Sequence, residues 1–293
     1  MFEFLKGGWA AHQGTVAPPL KGVVPGCAVP PPLVGLAAAE HWAGVVRRDN
    51  ACALPGVNIK YDNFMTCMRR AEQRGFVQTV HAEFVAEGLR QGFTCGIDTG
   101  QLRGHRFYNN YPTAVENRAA VTTAIMKRVE AGKTLVLGEW SAAARVQLRG
   151  SFDSCIKFPV GAVPKPLEPG VYRPYSDHTK TGLNGATCMD MLRHTLTAYH
   201  DVAEYLKRGY FMRVSDVDNA FPMLPLHPDV WRFFMFSFWA DDDAAVEMLF
   251  MHLTGDFGTR GMPGTFKIFF VDVVIQMARS ELVLTLPIGR GWS

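Results

Sequence analysis

No two of the six cysteines (Cys27, Cys52, Cys67, Cys95, Cys155 and Cys188) form a C-x-x-C pair. A zinc knuckle therefore has no ligand pattern to start from, and free thiols are expected rather than a disulfide framework. Charge is scarce as well. Asp, Glu, Lys and Arg make up 19% of the chain, and 30 basic against 27 acidic residues leave a net charge of +3. Such a balance tolerates a polyanionic partner without demanding one. The first ten residues, MFEFLKGGWA, lack the basic and then apolar order of a secretory signal. The longest apolar stretch, 266–278, is interrupted by Lys267 and Asp272 and is too short to span a bilayer. There is no G-x-x-x-x-G-K-[ST] loop and no G-x-S-x-G elbow, so ATPase and hydrolase readings have no anchor. The expectation is a soluble protein, inside the cell in cytoplasm or nucleus, with no membrane partner.

What the chain has is apolar content: 48% of 293 residues, enough for one large core or two ordinary ones. Residues 1–35 are rich in Pro and Gly ("VAPPLKGVVPGCAVPPPLVG") and read as a flexible lead-in, since proline removes donors and fixes φ. Residues 36–150 read as mostly helical. In "QTVHAEFVAEGLRQG", Val80, Phe84, Val85 and Leu89 recur at helical spacing. Thr113 and Glu116 suggest a capping box. Val121, Ile125 and Val129 make a helical stripe, and Gly132 supplies the stop. Arg118, Lys127 and Arg128 on that helix read as a solvated face, with phosphate contact as the other reading.

From residue 151 the texture becomes mixed. A hairpin is expected over Ile156–Val163 and Val171–Tyr175, turning near Glu168–Gly170. A helix over Met189–Arg208 follows, then strands over Phe211–Val217, Arg232–Trp239 and Val246–Leu253. "WADDDA" falls between the last two as a solvated turn. Phe266, Phe269, Phe270, Val273, Val274 and Met277 form the stripe of a last helix. The fold class expected is α+β, with helices packed on an antiparallel sheet. The domains expected are the lead-in 1–35, a helical region 36–150, and a mixed unit 151–293.

"VSDVDNAFPMLPLHPD" carries the chemistry. Asp216 stands at the tip of an apolar strand, where a buried carboxylate is costly unless something compensates its charge. A divalent metal is one such partner, and magnesium takes few protein ligands. The other reading is a strand-terminal Asp capping a turn. Lys165 and Arg173 sit on the two arms of the expected hairpin, where they would suit a triphosphate. Asp218 reads as a turn residue, Asp256 as a loop cap and Asp272 as a salt-bridge partner. His227 and His252 read as structural.

Three blocks in this order resemble the fingers and palm of reverse transcriptases, and residues 78–140 look like the segment before the palm in DIRS-like, tyrosine-recombinase retrotransposons. "AVPKPLEPGVYRPYSDHTKTGLN" is similar to the fingers hairpin, and Lys165 and Arg173 match its triphosphate-binding cations. "RVSDVDNAFPMLPLHPD" resembles the first palm motif. The resemblance makes Asp216 the first metal-binding aspartate, Val217 a carbonyl ligand to the metal, and Phe221 a steric gate against a ribose 2′-OH. "GDFGTRGMPGTF" resembles the second palm motif, with Gly258 beside the incoming nucleotide and Arg260 and Pro263 on the template–primer side. The resemblance implies a right-hand polymerase fold of fingers and partial palm. It also implies Mg²⁺ (or Mn²⁺), a dNTP, and an RNA or DNA template with primer. A Tyr-x-Asp-Asp hairpin should follow the last helix, but "ELVLTLPIGRGWS" does not supply it. The expectation is therefore a truncated RNA-directed DNA polymerase with little activity. A non-catalytic nucleic-acid-binding remnant is the alternative.

Overall fold

The computed structural model describes residues 35–166, 168, 170–194, 217 and 220–285. The lead-in expected over 1–35 lies almost wholly outside them. So does most of the helix expected over Met189–Arg208 and of the strand expected over Phe211–Val217.

Helices come first. α1 (Gly35–Arg48) buries Leu36, Ala39, Ala43 and Val46 along one stripe and ends on Arg47 and Arg48, which complement its C-terminal dipole. Its first residue must be small, because a Cβ on Gly35 would lie 2.2 Å from the Val136 carbonyl oxygen. α2 (Tyr61–Gln73) and α3 (Thr79–Gln91) follow. The expected stripe on α3 is half right: Val85 and Leu89 are buried, whereas Val80 is exposed.

After β1 (His105–Phe107) come α4 (Pro112–Glu116) and α5 (Arg118–Glu130). The expected capping box does not form. Helix α4 opens on Tyr111 with Pro112 in its first turn, and the Thr113 hydroxyl instead accepts from the Ala162 amide at 3.3 Å. Val121 and Ile125 bury the core face of α5, and Gly132, at φ +69°, ends it in the left-handed region that only glycine enters easily.

The strand β2 (Thr134–Glu139) comes directly after, inside the region expected to be mostly helical; "TLVLGE" carries no apolar–polar alternation to mark it as a strand. α6 (Ala142–Ser151) is capped by Ser141, whose hydroxyl accepts from the Ala144 amide.

The apolar run 155–164 divides at Phe158–Pro159. β3 (Cys155–Lys157) enters the main sheet, while β4 (Val160–Pro164) leaves it to pair with β5 (Tyr172–Ser176) in a separate two-stranded hairpin. Further on come the short α7 (Pro228–Trp231), β6 (Met235–Trp239) and β7 (Glu247–His252). A long helical run closes the described chain. It is α8 (Met262–Phe266), a π-helical stretch over Lys267–Val274, and α9 (Ile275–Thr285).

The main sheet has the order β1-β3-β6-β7-β2. The α+β class holds, but the sheet is mixed rather than antiparallel: β1–β3 and β3–β6 pair parallel, β6–β7 and β7–β2 antiparallel. Residues 105–107 and 134–139 supply both outer strands, so the main sheet crosses the division expected near residue 151. β6 runs through the middle, with Met235, Phe236, Ser237 and Phe238 all buried. A strand covered on both faces reads as a continuous apolar run, as "FFMFSF" does.

Candidate functional site

The hairpin β4–β5 puts its two cations on one face. Val163 pairs with Arg173 across the strands, and Lys165 lies two residues beyond Val163, just past the strand end. Arg173 is exposed. Lys165 is half-buried and forms an ion pair with Glu168 inside the turn, which is also closed by Lys165 N–H donating to Val171 O at 2.8 Å. Nearer the base of that face, Tyr175 lies over Gly161. A Cβ there would fall 2.2 Å from the ring, so the packing requires glycine.

At the base of the hairpin the three sequence blocks meet. Ser176 N–H donates to Phe257 O at 3.2 Å. Gly258 sits at φ +124°, and a Cβ there would lie 2.0 Å from Ser176 O. Phe221 begins a 3₁₀ turn, Phe221–Met223, and its ring meets Phe257 at 4.9 Å and Phe266 at 5.8 Å. Asn184 spans the outer side of the same junction, donating to Gly258 O at 3.0 Å and accepting from Arg260 N at 2.8 Å. Arg260 is exposed, and Pro263 sits in the first turn of α8. Lys165, Arg173, Phe221, Gly258, Arg260 and Pro263 thus lie on three segments joined at Ser176 and Phe257. Arg173 stands three residues from Ser176, about 10 Å along the strand.

Asp216 lies outside the described residues, as does Asp218. Val217 is described and half-buried. Among the described residues, no three His, Cys, Asp or Glu side chains are placed to hold a metal ion. The two carboxylates nearest the junction are already engaged. Asp177 accepts from Tyr111 OH at 2.5 Å and from the Lys180 amide at 2.9 Å. Asp256 accepts from Thr259 Oγ1 at 2.7 Å and shares a 2.8 Å hydrogen bond with His178 Nε2. The described residues therefore do not by themselves fit a magnesium ion.

Asp256 is more than the expected loop cap. It is 2% exposed, His178 is 0% exposed, and the imidazole lies between Phe158 at 4.7 Å and Phe234 at 5.1 Å. Burial pushes the Asp256 carboxyl up. The charge and hydrogen bond of His178, with help from His252 and Ser176, more than reverse that and hold it well below the usual carboxylate range.

His252 is buried too, and its Nδ1 is 2.8 Å from Thr134 Oγ1. Burial and the nearby Arg128 cation push its pKa well below the ordinary histidine value. Arg128 is not a solvated helix residue. Its guanidinium turns inward to donate to Gly255 O at 3.0 Å, and burial lowers its pKa to about 10 against the pull of Asp256. Arg128, His252 and Asp256 line a cavity of about 50 Å³, room for a water molecule. Arg128 Nε and His178 Nδ1 have no hydrogen-bond partner among the described residues.

Sequence reasoning passed over His178 and took Asp256 only for a loop cap. Its available signal was polar residues placed directly after a strand ("YSDHT") and between glycines ("GDFG"). Their pairing across 78 residues has no signature in either segment.

Arg118 is likewise bound. It donates to Asp241 O and Ala244 O, and its guanidinium lies 4.4 Å from the Trp239 ring centroid. Asp272 is the salt-bridge partner expected, held by Lys267 at 2.7 Å. The chain matches no family model and no curated protein.

Proposed function

We propose that the chain is a reverse-transcriptase-like nucleotidyl-transfer unit, with the fingers and part of the palm of a right-hand polymerase. It binds a dNTP and a primed RNA or DNA template. The observation that carries the reading is the junction at Ser176, Phe257 and Gly258. Three separate stretches resemble polymerase blocks, and the parts of them that are described pack on one another there. Lys165 and Arg173 share a hairpin face suited to phosphate oxygens. Phe221 stands at the base of the hairpin, where an aromatic ring could exclude a ribose 2′-OH. Asp216 is the residue this reading assigns to Mg²⁺ or Mn²⁺, with Val217 beside it. Among the described residues no helix is long and apolar enough to cross a membrane.

Primer extension on oligo(dT)-primed poly(rA), with Mg²⁺ or Mn²⁺, tests the proposal. Any extension by the unmodified chain is expected to vanish in Asp216→Asn, and Phe221→Ala in an active chain is expected to gain ribonucleotide use. Absence of extension in the unmodified chain, with salt-sensitive binding of primer–template, would leave a nucleic-acid-binding module without catalysis. Neither extension nor binding would overturn the reading.

A further inference from the structure

The pair His178–Asp256 joins the two segments that meet at the hairpin base. His178 lies two residues beyond Ser176, the last residue of β5. Asp256 lies two residues before Gly258, on which Ser176 is seated. On the outside, Asn184 ties Gly258 to Arg260. On the inside, His178 Nε2 and Asp256 Oδ2 meet at 2.8 Å, and the other carboxylate oxygen accepts from Thr259 Oγ1, closing the turn that holds Gly258. The junction is therefore stapled on both sides.

Taking a carboxylate out of water costs free energy that an apolar side chain in the same space would not. The imidazole lies between Phe158 and Phe234, surroundings that an apolar side chain could share without needing a hydrogen bond. What an apolar residue lacks is direction. A hydrogen bond of this kind fixes one segment against another, as van der Waals contact does not.

Such fixing matters here because an isolated two-stranded hairpin is marginal in water. β4 is anchored to the 110–113 segment, through Val160 N–H to Asn110 Oδ1 and Tyr111 N–H to Val160 O. β5, which carries Arg173, has its base on the Gly258 turn.

We infer that His178 and Asp256 are positioning residues: they set the hairpin over the Phe221–Gly258 junction and so set the grip of Lys165 and Arg173 on the phosphates of a nucleoside triphosphate. The phosphate part of this inference rests on the function proposed above. The positioning part does not.

The test uses the full chain with two readouts: dTTP binding in Mg²⁺ by equilibrium dialysis, and amide hydrogen exchange over 160–176, β6 and β7. His178→Leu is expected to weaken dTTP binding about tenfold, the scale of coupling between contacting residues. It should speed exchange in β5 while β6 and β7 stay protected. His178→Gln, whose amide can still donate to Asp256, should hold both readouts within about threefold of the parent. Asp256→Asn preserves volume if His178→Leu does not fold, and should shift both readouts in the same direction.

Unchanged exchange in β5 in a folded variant overturns the positioning role. So does a loss of protection spread equally over β6 and β7, which would mark a core residue only. Lys165→Ala with Arg173→Ala separates the two readings. It should abolish dTTP binding and leave β5 exchange alone. If the parent binds no dTTP, or the double variant binds it as well as the parent, the nucleotide reading fails. The exchange experiment still decides the positioning role.

Discussion

Single buried residues hold much of what is particular to this chain, and Lys157 is the sharpest case. It is 1% exposed at the end of β3, donates to Tyr108 O at 2.5 Å and to Ser237 Oγ at 2.9 Å, and lies 5.1 Å from the Trp140 ring centroid. Burial lowers its pKa to about 8, against the pull of Glu247, which itself accepts from Ser237. The unfolded chain keeps a lysine near its ordinary value, about 10.4. Between these two values the unfolded state holds a proton that the folded state has released, so stability rises with pH through that window and is lower below it. Burial raises the thiols of Cys52, Cys95 and Cys155, so they work the other way above about pH 8.5. The Lys157 share, at most about 3 kcal/mol, is therefore read by urea denaturation from about pH 7 to 10.5 as the difference between the parent and Lys157→Met. In Lys157→Met that share of the rise should be lost; an unchanged slope would mean the lysine is not the group responsible. No local pattern marks Lys157, since "CIKFPV" reads as an ordinary apolar run with one charge. Phe221 and Gly258, by contrast, stand out in the sequence: one lies five residues past an aspartate, the other in a glycine-rich turn.

The elements were legible to the extent that they bury one face of a regular repeat. α3, α5 and the helical run from Met262 follow their apolar periodicity, while β6 and β7 stand out as continuous apolar runs. The repeat does not show what the polar side chains of an element do. Arg118 opens α5 and was read as solvated, yet it ties the turn after β6 to this helix. Two charge-assisted hydrogen bonds and a stacking contact with Trp239 are lost in Arg118→Ala, which should cost about 1–2 kcal/mol. Limited proteolysis should show faster cleavage within 240–244. A variant as stable and as resistant as the parent would return Arg118 to the solvated face. The acidic run "ADDDA" is thus a turn, as its composition suggests, but one held by a partner 123 residues away.

At the scale of the molecule the sheet joins what the sequence seemed to divide. β1 and β2 come from before residue 151 and flank strands that come from after it. Residues 151–293 expressed alone would leave β3 and β7 with unpaired edges, which invites edge-to-edge association. That fragment is expected in inclusion bodies or large aggregates. Co-expression with residues 35–150 should recover a soluble complex by size-exclusion chromatography. A soluble, monodisperse 151–293 would show that the two outer strands are dispensable. What the residues settled alone was local: which stretches are helical and where the hairpin turns. These depend on periodicity and turn chemistry, both written within about twenty neighbouring positions. The mixed sheet, the β2 edge, the Arg118 tether and the His178–Asp256 staple were decided by tertiary packing. Each joins segments far apart in the chain, and a hydrogen bond between distant residues leaves no period or spacing in either one.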